Sequence, residues 1–263
     1  MNDRMSIVIE DGVADVRLNR PDKMNALDPA MLDGMAAAGE TLRSTQGLRA
    51  IVLSGEGRAF CAGLDLASFS AIAETAGDLM HRSHGLSNRF QHAAMLWREL
   101  PVPVIAAVHG ICFGGGLQIA LGADIRIAAP DTKLSVMEIK WGIVPDMGGF
   151  VLTRGLVRDD VLRDLVYSGR QVEGAEAQAL GLITRLSDTP HAVAMAMARD
   201  IAMKNPDAIR AAKRLFDLSH DQDAANILLA ESREQTALFS RPNQKEAVMA
   251  HMEKRAPVFF DYD

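Results

Sequence analysis

A chain of 263 residues with 48% hydrophobic content is long enough to bury a large core, as one domain or two. Its formal charge of −6, with no run of five or more like charges, argues against a nucleic-acid partner or an anionic membrane surface. Two cysteines, Cys61 and Cys112, imply no disulfide framework. Met1–Ser6 leads into an alternating strand rather than a secretory apolar core, so a reducing, cytoplasmic setting is expected.

Ser6–Glu10 and Val13–Leu18 alternate apolar and polar residues around Asp11-Gly12, the pattern of a hairpin. Asp28-Pro29 offers an N-cap and a proline at the first helical position, which predicts a helix to about Thr45 and then a strand at Ala50–Ser54. A long helix is expected over 71–99, stopped by Pro101 and Pro103. Strands are expected at Val102–Val108, Asp124–Ala128 and Lys133–Val136. His109, Gln118, Asp124 and Arg126 interrupt the apolar stretch 102–128, which no lipid-spanning helix would favour. From Met147 the pattern is helical (147–156, 159–167, 174–180, 191–204, 207–218, 222–239 and 243–254), with one strand at Leu182–Arg185. The sequence shows no clear repeat or low-complexity linker. The break near 190 divides an α/β body, 1–190, from a helical region, 191–263.

Two turns stand out. Gly114-Gly115-Gly116 joins the strand ending at Val108 to the helix-like run Leu117–Leu121. Three residues without Cβ there expose backbone N–H groups at a helix N-terminus, a seat for an oxyanion. The alternative is a turn packed for its own sake. Gly55–Asp65 likewise follows a strand and closes in small residues, so two N–H groups could converge on one atom. Glu138 sits between apolar runs, where poor solvation would raise its pKa toward acid–base use; a surface or ion-paired glutamate is the plainer reading. Cys61 has no evident activating partner and reads as a small packing residue. His109 reads as a hydrogen-bonded residue at a strand end. No metal-ligand spacing is evident.

Together with Leu18-Asn-Arg-Pro21, Asn25-Ala-Leu27 and Glu138–Gly149, these segments make the chain resemble the crotonase superfamily, the enoyl-CoA hydratase/isomerase family, from about residue 5 to Arg255. The resemblance implies a spiral of β-β-α turns with a C-terminal helical region that packs subunits into trimers, often paired into hexamers. It also implies an acyl-CoA thioester as substrate, with coenzyme A part of that substrate and no separate cofactor. The oxyanion donors would be the backbone N–H groups of Leu64 and Gly115, and Glu138 would shuttle the proton. Gln118, Trp141 and Pro145 would meet the acyl group. Met24, Ala26, Ala62, Gly63, Asp65 and Leu66 would contact coenzyme A, and Lys254 would reach a CoA phosphate from a neighbouring subunit unless it is simply a solvated lysine. Gln118 departs from the hydratase pattern, which has a second glutamate there; an amide cannot serve as a base. Asp146 matches an acidic position of the dienoyl-CoA isomerase, acyl-CoA hydrolase and dehalogenase branches, or it caps the following helix. The expected function is acyl-CoA hydration or double-bond isomerisation through a thioester enolate. The alternatives are another branch using Asp146, decarboxylation among them, or an acyl-CoA-binding protein without turnover.

Overall fold

The structure is a computed structural model in which residues 3–68 and 79–261 are described. The hairpin forms as the alternation predicts: β1 (Met5–Glu10) pairs antiparallel with β2 (Val13–Leu18), and Asp11 and Gly12 both turn with positive φ. Next come α1 (Pro29–Ser44), capped by Asp28, and β3 (Ala50–Gly55). Of the long helix expected over 71–99, only α2 (Arg89–Glu99) is found; 79–88 form turns closed by a His84–Ser87 bridge, and 69–78 lie outside the described residues. The start of α2 is fixed by a capping box in which Asn88 accepts from Gln91 N while the Gln91 side chain accepts from Asn88 N.

β4 (Val104–Val108) begins after Pro103, which lacks the N–H a ladder needs. A short strand missed in the sequence, β5 (Ile111–Phe113), runs into α3 (Gly115–Gly122), followed by β6 (Ile125–Ala128) and β7 (Lys133–Ser135). The helix expected over 147–156 is a single turn, α4 (Gly149–Leu152), because Gly148 at φ 89° and Gly155 at φ 70° break it on either side. Then come α5 (Asp159–Ser168), β8 (Val172–Glu173), α6 (Gly174–Ala179) and β9 (Arg185–Leu186), the last displaced from the expected 182–185 by its pairing with β6. The chain continues through α7 (Pro190–Ala202), α8 (Pro206–Ser219), α9 (Ala224–Leu238) and α10 (Pro242–Met252).

The strands form a six-stranded sheet, β1-β2-β3-β4-β6-β9, parallel beyond the hairpin, and a three-stranded sheet, β5-β7-β8. Each pass of the chain leaves a strand of the large sheet, makes a second extended contact, and returns through a helix. After β2 that contact is a Leu27–Leu64 bridge, after β3 a Cys61–Cys112 bridge, after β4 it is β5, and after β6 it is β7. The chain thus spirals, and successive turns stack the segments 25–27, 61–64 and 111–113 side by side. α3 is buried along its whole length, the mark of a helix enclosed on every side. α7 lays Ala194, Ala198 and Ala202 against Val52, Ile105 and Ile127 of the sheet, so the helical region begins as part of the body.

α3 crosses α2 closely at Gly122, where an added Cβ would stand 2.2 Å from the backbone oxygen of Ala94. A backbone atom in a packed crossing has nowhere to go, so Gly122→Ala is expected to cost about 1–3 kcal/mol. Denaturant unfolding checks this; an unchanged midpoint would mean the helices are not in such contact.

Candidate active site

The two glycine-bearing turns meet at the stacked segments. Asn25, fully buried at φ 56°, organises the first of them: its Nδ2 donates to Glu56 O, Ala59 O and Phe60 O at 2.9–3.1 Å, and its Oδ1 accepts from Arg20 N. The turn is then stitched to the second by Cys61 N to Ile111 O and Phe113 N to Cys61 O, each 3.0 Å. A Cβ on Gly63 would lie 3.7 Å from Gly115 N, and one on Gly116 would strike Cys61 at 2.5–2.9 Å, so glycine alone permits this approach. Gly114 N is used on Ser135 O. Among the described residues, neither Leu64 N nor Gly115 N meets an acceptor, and both residues line one pocket of about 480 Å³.

Glu138 opens a single helical turn after β7 and is 7% exposed. Burial raises its pKa above the ordinary 4.5; a hydrogen bond from Gln118 opposes that, and the negative Asp146 adds to it. Its carboxylate rests against Gly114, where a Cβ would be 3.5 Å from Oε1 and 3.9 Å from Oε2, next to the free N–H of Gly115. Oε1 accepts from Gln118 Nε2 at 2.6 Å, and Oε2 is buried without a partner. A buried carboxylate oxygen left unpaired beside open donors is a place for a reacting group.

The structure gathers most of the residues singled out in the sequence. Met24, Ala26, Ala62, Gly63, Leu64, Asp65, Leu66, Gly115, Gln118, Glu138, Trp141 and Asp146 all line this pocket. Asp146 does not cap the next helix; Gly148 holds that position with no side-chain cap. Water reaches Asp146, yet the surrounding protein desolvates its carboxyl and raises its pKa. Arg20 bridges Asp65 at 2.8 Å and Asp28 at 3.5 Å and donates to Ala26 O, which pins the two loops of the pocket mouth together. Against the upward pull of burial, that hydrogen bond holds the Asp65 carboxyl below the ordinary range.

Pro145 is buried and lines a small adjoining apolar cavity with Phe150 and Leu162, whereas Asp146 lines the larger pocket. Lys254, at φ 54° just past α10, does not line the pocket of its own chain. Lys23, Leu79, Phe90, Met137 and Met147 line the pocket without having been singled out, since no motif marks them. Cys61 is fully buried, its Sγ meets Asn25 O, and burial pushes its thiol up to about 12, which leaves no nucleophile.

The geometry agrees with the comparisons. A family model described as enoyl-CoA hydratase/isomerase matches residues 8–262. The chain is 30% identical to a Bacillus subtilis protein named "Probable enoyl-CoA hydratase", covering 97% of this chain and 98% of that one. It is also 30% identical to the mitochondrial methylglutaconyl-CoA hydratase of Mus musculus, covering 94% and 79%. The crystal structure of an enoyl-CoA hydratase from Bacillus anthracis superposes with a TM-score of 0.89 at 27% identity, covering 97% and 98%.

Proposed function

Because the chain belongs to the enoyl-CoA hydratase/isomerase family, we propose that it binds an acyl-CoA thioester with its carbonyl oxygen at Leu64 N and Gly115 N. Glu138 takes a proton from the acyl chain while those dipoles stabilise the enolate. The observation that carries this reading is the buried, unpartnered Glu138 Oε2 beside Gly114-Gly115. Its raised pKa suits a group that must both take and return a proton. Double-bond migration is favoured over hydration, since the amide of Gln118 cannot help to activate water.

Asp146 supports a second reading. It lines the same pocket and its charge reaches Glu138, so it can return the proton at a different carbon. The test is conversion of a 2-enoyl-CoA to its 3-hydroxy product against migration in a 3-enoyl- or dienoyl-CoA, followed by mass and absorbance. Asp146→Asn is expected to lose most migration if two carboxylates share the work, and to keep most turnover if Glu138 acts alone. Absence of both reactions in the wild-type chain would remove the hydratase/isomerase reading and leave another branch of the superfamily or a binding protein.

Assembly into a trimer or hexamer is part of the same proposal. Phe216, Leu228, Leu229, Phe239, Met249 and Met252 are exposed on or beside α8–α10, an apolar surface that suits a second copy. Lys254, remote from its own pocket, would then serve a neighbour's CoA phosphate. Light scattering should give a trimer or hexamer, and Lys254→Ala should weaken CoA binding while leaving kcat unchanged; a monomer at micromolar concentration would rule out the shared site.

A further inference from the structure

We propose that Gln118 is a positioning residue that dictates which oxygen of Glu138 meets the substrate and locks that choice to the loop carrying Asp146; the inference rests on the acid–base reading of Glu138 above. Gln118 Oε1 accepts from Met147 N and Gly149 N, both at 2.9 Å. Two backbone donors on one side of an amide fix its orientation, because the reversed amide would turn its own N–H groups against them. Nε2 is therefore the atom that faces Glu138, and it donates to Oε1 at 2.6 Å. One lone pair of Oε1 is thereby taken, and Oε2, buried and unpartnered, is the oxygen left open to take a proton.

The surroundings are shaped to this arrangement. A Cβ on Gly149 would stand 2.8 Å from Gln118 Oε1 and 3.2 Å from its Cδ, so a glycine makes the approach to the amide possible. Gly114 lies against the Glu138 carboxylate, where a Cβ would be 3.5 Å from Oε1 and 3.9 Å from Oε2. The remaining charged groups lining the pocket are Asp22, Lys23, Asp65 and Asp146, of which Asp146 is the one that acts on Glu138. Gln118 bonds to both the proton carrier and the loop of Asp146, so it sets the spacing of the two carboxylates as well as the orientation of one.

A residue that merely packs would not set the titration of Glu138, and that difference is the test. Isotope-edited infrared titration follows the glutamate carboxyls of the ligand-free protein, with the Glu138 band identified by its loss in Glu138→Gln. Gln118→Met removes the donor, so the charged form loses support and the Glu138 titration should move to higher pH, with the acid limb of kcat/KM following it. kcat should fall about 10²-fold, with KM within about twofold, as expected when a reacting group is misplaced. Gln118→Glu keeps an acceptor for Met147 N and Gly149 N and serves as the folded control. Its second oxygen faces Glu138, so the pair must share one proton: two coupled titrations should replace one, and activity should gain an alkaline limb where the shared proton leaves.

Unmoved titrations in both folded variants would overturn the positioning role while leaving Glu138 as proton carrier. Wild-type turnover in Glu138→Gln would instead overturn the reading on which the role rests.

Discussion

Turnover of acyl-CoA by the Glu138→Gln variant is expected to fall by about 10²–10⁴-fold, the range over which a positioned proton carrier contributes. The substitution isolates that role because a glutamine carbonyl can still accept from Gln118 Nε2, leaving the neighbourhood intact. Folding should not suffer. The pKa of Glu138 is raised in the fold, so its charged form is disfavoured there, and its contribution to stability declines as pH climbs past the ordinary 4.5. At neutral pH the neutral isostere should be at least as stable as the wild type. The same shift places the acid limb of kcat/KM above the pH at which an ordinary glutamate titrates. Steady-state rates with a thermal melt check both; a destabilised but active variant would reverse the account.

Gly115→Pro should cost about 10²–10³-fold, roughly 2.7–4 kcal/mol of transition-state stabilisation, by deleting one of the two open N–H donors. Gly115 is the first residue of α3, where proline's fixed φ fits and no helical bond is lost. A new Cβ would nonetheless approach Met147 Sδ at 2.7 Å and Leu27 Cδ1 at 2.9 Å. Both side chains are buried and must shift, and Gly115→Ala carries the same burden while keeping the N–H. The ratio of Ala to Pro activity therefore reads the lost donor together with the ring carbon that takes its place; activity of the folded Pro variant within tenfold of the Ala variant would remove Gly115 from the oxyanion seat.

Much of this site could be read in the sequence because it depends on short segments. The glycine triplet, the Gly55–Asp65 turn and Glu138 each carry their function within a few residues, and the spiral brings them together. What could not be read lies in contacts between turns. The Gln118–Glu138 bond spans 20 residues, and its sense depends on two backbone N–H groups of the loop beyond. Position 118 read as an acyl-group contact and a missing carboxylate, whereas the folded chain gives the amide three partners within the protein. Pro145 and Asp146 are adjacent in sequence but line different cavities, a distinction set by the folded path of the loop and not by the residue types. The Asn88–Gln91 capping box was visible in the residues, yet the continuous helical pattern across 71–99 concealed it.

A binding protein without turnover would have no use for an unpartnered carboxylate oxygen at 7% exposure, since such a group is costly to bury. The most direct measurement of the central claim is deuterium uptake into the acyl chain of a 3-enoyl-CoA incubated with the protein in deuterated water and followed by mass spectrometry. The account predicts rapid uptake with the wild-type chain and almost none with folded Glu138→Gln. Equal uptake with both, or equal double-bond migration with both, would contradict it.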